Sequence, residues 1–215
     1  MTADDASTVL SGLRRFREPR EAPRPGEVCE MCGEPIGAEH GHVVNTEDRN
    51  LLCCCRSCYL LFTNAAAARG KYRSIPERFL TDPAFTLTDA RWDELQIPVS
   101  VAFFFHNSTL DRTVAFYPSP AGATESLLPL QTWDSVLAAG PLARQLEPDV
   151  EALLVRRRDE GYECYLCPID ACYELAGLVR LHWKGFSGGA EVWAEIDGFF
   201  DRVRECSRPV GAGNA

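Results

Sequence analysis

The sequence predicts an α+β chain in which a small cysteine-knuckle module precedes an antiparallel sheet with helices packed on one face. Three features predict it: two Cys-x-x-Cys pairs in the first third, alternating apolar strands from residue 97 onward, and two amphipathic helices near the C-terminal end. Hydrophobic residues fill 46% of the 215 positions, enough for a core and too many for a disordered chain. The net charge of −9 disfavours a broad electrostatic grip on nucleic acid or anionic lipid, so neither is expected as a partner.

The opening residues, MTADDASTVLSGLRRF, show no basic segment followed by an apolar one, so no secretory signal is expected. No apolar run approaches membrane-spanning length. A cytoplasmic location follows as the expectation, and there thiols stay reduced and structural disulfides are uncommon.

Taken in order, residues 1–26 predict a short amphipathic helix bearing Leu10, Leu13 and Phe16, then a linker whose three prolines favour an extended chain. Residues 27–62 form the cysteine module. Residues 63–96 mix alanines with Pro76 and Pro83 and predict a connecting helical region that includes a short helix capped by Thr88. Residues 97–207 form the α+β domain. Its first strand places Ile97, Val99, Val101, Phe103 and Phe105 on one face, with RTVAFYP returning beside it across NSTLD. LQTWDSVLAAGPLARQL predicts a helix interrupted near Gly140 and Pro141, and EALLVRRR and YECYLCP, joined by DEG, predict a second hairpin. Cys172, Leu175, Ala176, Val179, His182 and Trp183 stripe one helix over about 170–184; Val192, Ile196, Phe199 and Val203 stripe another over 189–205. Helices between and after hairpins cover one face of a sheet.

Cys29-Glu-Met-Cys32-Gly and Cys55-Arg-Ser-Cys58 are knuckles separated by 22 residues. A tetrahedral ion with sulfur ligands about 2.3 Å away takes two thiolates from one tight turn, and two intervening residues let that turn curl around it. Gly33 suits the first knuckle because positive φ lets backbone amides point at sulfur. Between the knuckles, HVV and NLL flank NTEDR as a hairpin, the arrangement of a zinc ribbon. Cys29, Cys32, Cys55 and Cys58 are the expected ligands and zinc the default ion, while iron in a rubredoxin-like site uses the same four sulfurs. Taking Cys53 or Cys54 instead of Cys55 lengthens the second knuckle, so both read as strand residues or a spare thiol. His40 and His42 are close enough in sequence to replace a cysteine. With four thiolates available, hairpin surface or a hydrogen bond to the ligand shell is the better reading.

Cys164-x-x-Cys167 has thioredoxin-like spacing, but side chains three apart on a strand point to opposite faces, and Cys172 falls on the apolar helix stripe. All three read as core thiols. YPSPAGATES, residues 117–126, lacks the Gly-Lys-Ser/Thr of a phosphate-binding loop and reads as a connecting loop. No Ser/His/Asp order or H-x-x-x-H motif stands out, and four histidines leave little for acid–base chemistry. No enzyme activity is expected, and no catalytic residue is assigned.

The strings CEMCGEPI, EHGHVV, LLCCCRSCYLLF, IPVSVAFFFHNS, VAFYPSPAGATESLLPL, LEPDVEALLV and ECYLCPIDACYELAGLVRLHWKGFSGG carry a resemblance. Over residues 9–207 the chain resembles an uncharacterised family encoded beside actinobacterial-type, high-affinity nickel–iron hydrogenase genes. In that family the positions matching Cys54 and Cys167 are usually not cysteine, which favours Cys55 and Cys58 as ligands. The resemblance implies a metal-binding accessory or assembly protein acting by protein docking, with hydrogenase subunits or other assembly factors as partners. A rubredoxin-like iron electron carrier coupled to the hydrogenase is the alternative.

Overall fold

A computed structural model describes residues 28–64, 66–126, 140–185 and 188–211. The N-terminal helix and linker expected over 1–26, and the part of the expected interrupted helix over 130–139, lie outside these residues. The described chain forms two sheets. The smaller has strand order β2-β1-β3, from β1 (Gly41–Asn45), β2 (Asn50–Cys54) and β3 (Tyr72–Ser74), all antiparallel. The larger has order β10-β4-β9-β8-β5-β6-β7. It comprises β4 (Leu80–Thr81), β5 (Val101–Asn107), β6 (Arg112–Ser119), β7 (Gly122–Glu125), β8 (Glu151–Arg158), β9 (Gly161–Pro168) and β10 (Arg208–Pro209). Only β10, which runs parallel to β4, departs from antiparallel pairing.

Both hairpins expected in the larger sheet form. Asn107 pairs with Arg112 across the first turn, and Arg158 with Gly161 across the second. The two long helices, α3 (Ile169–His182) and α4 (Gly189–Cys206), pack on the face that carries Val101, Phe103, Phe105, Phe116 and Leu154. The opposite face is also covered, which extends the expectation of helices on one face only. There Ala102, Phe104, Leu153, Val155 and Leu166 meet Trp92 and Leu95, from and just after the short helix α2 (Asp89–Glu94), and Leu142. Thr88 caps α2 through its side chain, as expected. Burial on both faces explains why Phe103, Phe104 and Phe105 run together without a polar residue between them.

Three details differ from the sequence reading. The first long strand begins at Val101: Pro98 lacks the backbone donor and residues 98–100 bend, so Ile97 and Val99 join the Trp92 face. Residues 117–126 are not a plain loop but the turn into an edge strand, with Pro118 opposite Ala123. Residues 63–96 hold one 3₁₀ turn (Ala67–Gly70) and α2 as their helical parts, and they contribute β3 to one sheet and β4 to the other.

The smaller sheet leans on the larger body. Val44 and Ile75 belong to the helix-side core, and Leu51 packs against it. Arg73 donates to Pro148 O at 2.6 Å and to Glu147 Oε2 at 2.9 Å. Beneath these contacts lies Glu151, fully buried at the start of β8 and held by Arg78 through Nε at 2.5 Å and Nη2 at 2.8 Å. The same guanidinium donates to Gln145 O, which ties the 3₁₀ turn Ala143–Gln145 to the sheet. Removing one partner of a buried pair leaves an uncompensated charge. Arg78→Ala is expected to cost about 3 kcal/mol in denaturant-unfolding stability, at the low end of the buried range because Arg78 is partly solvated. Arg78→Lys recovers less than half, since an ammonium cannot reproduce a two-pronged contact.

Candidate metal centre

The first knuckle closes on itself and then onto the hairpin. Cys29 N–H donates to Glu34 O at 2.7 Å, Gly33 N–H donates to Cys29 O at 2.8 Å, and Val28 bridges Pro35. Gly33 takes φ +78°, the left-handed conformation expected of it. Glu30 then fastens the knuckle to β2: its N–H donates to Cys53 O at 2.8 Å, and its carboxylate accepts from Cys53 N–H at 2.6 Å. The second knuckle forms where β2 ends and α1 (Arg56–Leu61) begins, with Cys55 in extended conformation just before the helix and Cys58 in its first turn.

These two turns bring Cys29, Cys32, Cys55 and Cys58 together, with all four sulfurs within 4.8 Å of one another. Cys32 Sγ and Cys55 Sγ are 3.7 Å apart. A tetrahedron with legs of about 2.3 Å has edges of about 3.8 Å, so this spacing suits a single four-sulfur ion. Cys29 and Cys58 are buried, Cys55 is half-buried and Cys32 is exposed, so one edge of the cluster meets solvent.

Electrostatics point the same way. Burial pushes the Cys29 thiol up, but backbone N–H groups of Cys55, Cys32 and Met31 directed at its sulfur outweigh that and bring it down to about 6. Cys58 is pushed far up by burial and by the neighbouring thiols. One thiolate therefore forms readily and makes the next less favourable; a divalent cation removes that conflict by displacing the protons.

The remaining cysteines and histidines of the module go elsewhere. Cys54 is fully buried beside Val43, Cys29 and Cys58, and burial together with the nearby Cys29 pushes it up to about 12, as befits a core thiol. His40 and His42 do not join the four thiols. His40 Nδ1 donates to Gly37 O at 2.9 Å and His42 Nδ1 to Asp170 Oδ2 at 2.8 Å.

The family described as "Family of unknown function (DUF5947)" matches residues 28–207. The chain belongs to this family. No curated protein and no solved structure matches it. The DUF5947 segment contains both knuckles, both sheets up to β9 and both long helices.

Within that segment the C-terminal thiols behave as strand periodicity predicts in one respect. Cys164 lies in the Trp92-side core and Cys167 in the helix-side core, so the Cys-x-x-Cys pair is split. The pairing that periodicity does not reveal is Cys167 with Cys172, whose sulfurs are 3.5 Å apart across the strand-to-helix turn. None of the ten cysteines is in a disulfide, and burial holds Cys164 and Cys172 well above the ordinary thiol range.

One structural residue escaped the sequence reading altogether. Gly41, at the start of β1, lies under the ring of Tyr59, where an added Cβ would come within 2.5 Å of Cδ2. Tyr59 cannot swing aside freely, because it is buried and its hydroxyl donates to Ile75 O at 2.8 Å. Since Tyr59 follows Cys58 directly, Gly41→Ala is expected to displace α1 and lower metal affinity at least 10-fold. Competition with a chromophoric chelator measures this; Gly37→Ala, where a Cβ meets nothing within 4 Å, is the control expected to leave affinity unchanged.

Proposed function

We propose that this DUF5947 chain is a zinc-binding accessory protein that works by docking, with Cys29, Cys32, Cys55 and Cys58 as the ligands. The resemblance set out from the sequence implies a nickel–iron hydrogenase subunit or another assembly factor as its partner. The observation that carries the docking role lies on α1. Leu60 and Leu61, 51% and 65% exposed, come two and three residues after Cys58, so two adjacent apolar side chains face solvent on the element that the ion would fix in place. Adjacent exposed apolar side chains on a fixed support are a surface that a protein partner can cover. The ion's role is then structural, because it sets the angle at which α1 leaves the hairpin.

A second reading has one observation in its favour. Cys32 lies exposed at the edge of the sulfur cluster, which would give an iron ion at that site a short route to an electron-transfer partner. Metal analysis with an absorption spectrum separates the two readings, since iron in four-sulfur coordination is coloured and zinc is silent.

The expected content is one zinc per chain in this cluster, lost in Cys29→Ser, Cys32→Ser, Cys55→Ser or Cys58→Ser and kept in Cys54→Ala. Retention in Cys55→Ser with loss in Cys54→Ala would overturn the ligand assignment. Leu60→Asp with Leu61→Asp should abolish co-purification with hydrogenase subunits while metal content and thermal midpoint stay unchanged. Undiminished capture by that double variant would sink the docking role of α1.

A further inference from the structure

The face of the hairpin opposite the four thiols carries a second group of metal-ligating side chains. In the β1–β2 ladder His42 is directly opposite Cys53, and directly opposed residues project to the same face. His40 precedes His42 by two positions, and the two ring centroids are 4.9 Å apart. One ring nitrogen from each histidine and Cys53 Sγ lie within 4.8 Å of one another, and all three residues are half-buried.

The hydrogen bonds of the two imidazoles say which nitrogens are available. Gly37 O and Asp170 Oδ2 are acceptors, so in the neutral imidazole the proton is on each Nδ1 and the lone pair on each Nε2. His40 Nε2 is buried and has no hydrogen-bond partner among the described residues. A buried acceptor left in this way needs an explanation, and a bound cation supplies one. A backbone carbonyl behind one imidazole and a carboxylate behind the other is also how metal-bound histidines are oriented and made more basic.

We propose that His40 Nε2, His42 Nε2 and Cys53 Sγ form a second metal site, separate from the four-thiol cluster. Two neutral imidazoles and one thiolate suit a divalent transition ion of borderline softness, with Zn²⁺ the default occupant. Asp170 acts as a positioning residue: its carboxylate fixes His42 and offsets the positive charge left after one thiolate has neutralised half of the ion's. Three protein ligands leave one coordination position. Both imidazoles line a cleft of about 370 Å³ that also involves Tyr59, Pro76, Glu77 and Asp170, so water or a small ligand has access to that position. The site thus has the composition of an open, exchangeable centre, whereas the four-thiol cluster is closed. It also spans two parts of the fold, because its ligands come from the hairpin and its positioning carboxylate from the first turn of α3.

This goes beyond the docking reading and does not depend on it. The test titrates the metal-free full chain with Co²⁺ under reducing conditions, following sulfur-to-cobalt charge transfer and ligand-field bands, with bound metal counted after gel filtration. Two equivalents should bind. One has the intense charge transfer of four thiolates; the other has weaker absorption from a single thiolate. Cys53→Ser, and separately His40→Ala with His42→Ala, should bind one equivalent with the four-thiolate bands intact. Asp170→Asn should still reach two equivalents, with the second bound about 10–100-fold more weakly. The intact four-thiolate spectrum also serves as the folding control in each variant. A wild-type chain that stops at one equivalent overturns the proposal, as does a second equivalent that persists in both ligand variants. Loss of the four-thiolate equivalent alone would count against the proposed structural zinc and leave this site standing.

Discussion

The alternation of the β1–β2 hairpin is the constraint on which the rest of the cysteine module depends. Val43, Leu52 and Cys54 turn toward the knuckles, while Val44 and Leu51 turn toward the core under α3 and α4. His42 and Cys53, one residue out of phase with the first set, share the second side. Side chains on a strand have period two, so a one-residue slip would put histidines where the thiol cluster is packed and bury Cys53 in place of Cys54. Glu30 guards against that slip. It takes both main-chain groups of Cys53 at once, so the first knuckle can seat against only one register of β2.

A module of this size needs support from outside itself, and it has support of two kinds on its two faces. On the knuckle side the buried residues are few and mostly sulfur, too little apolar area to hold two tight turns and a six-residue helix without an ion. On the other side Val44, Leu51 and Ile75 share a core with the largest sheet, and Arg73 and His42 reach across to Glu147, Pro148 and Asp170. The hairpin is therefore anchored by ordinary packing. The knuckles, and α1 with its exposed leucines, are what a metal would order.

Most of this was legible where the signal is local. Doubled Cys-x-x-Cys spacing, period-two hairpins with short polar turns and two helical stripes are each written within a few residues, and each appears close to its expected bounds. What escaped is written in pairs far apart. Arg78 and Glu151 are 73 positions apart and His42 and Asp170 are 128 apart, with no pattern in between to join them. β3, β4 and β10 have three, two and two residues, too short for any periodicity to register. The second covered face of the large sheet was hidden for a different reason. With both faces buried, an apolar run such as Phe103–Phe105 shows no alternation, and the boundary at Pro98 could not be placed from the strand's own pattern.

The run Cys53-Cys54-Cys55 shows how one local repeat can serve three environments. Cys53 and Cys54 are the last two residues of β2 and so project to opposite faces, one beside His42 and the other into the small core. Cys55 would rejoin Cys53 if the strand continued. The strand stops there, the chain turns into α1, and Cys55 faces Cys32 at 3.7 Å instead. The strand end is therefore as important to the four-thiol cluster as the cysteines are, because it turns what would be a third strand residue toward the other three sulfurs. It also keeps Cys53 and Cys55 apart: a continuing strand would return both to the face that carries His42, whereas the turn into α1 sends Cys55 to Cys32 and leaves Cys53 opposite His42.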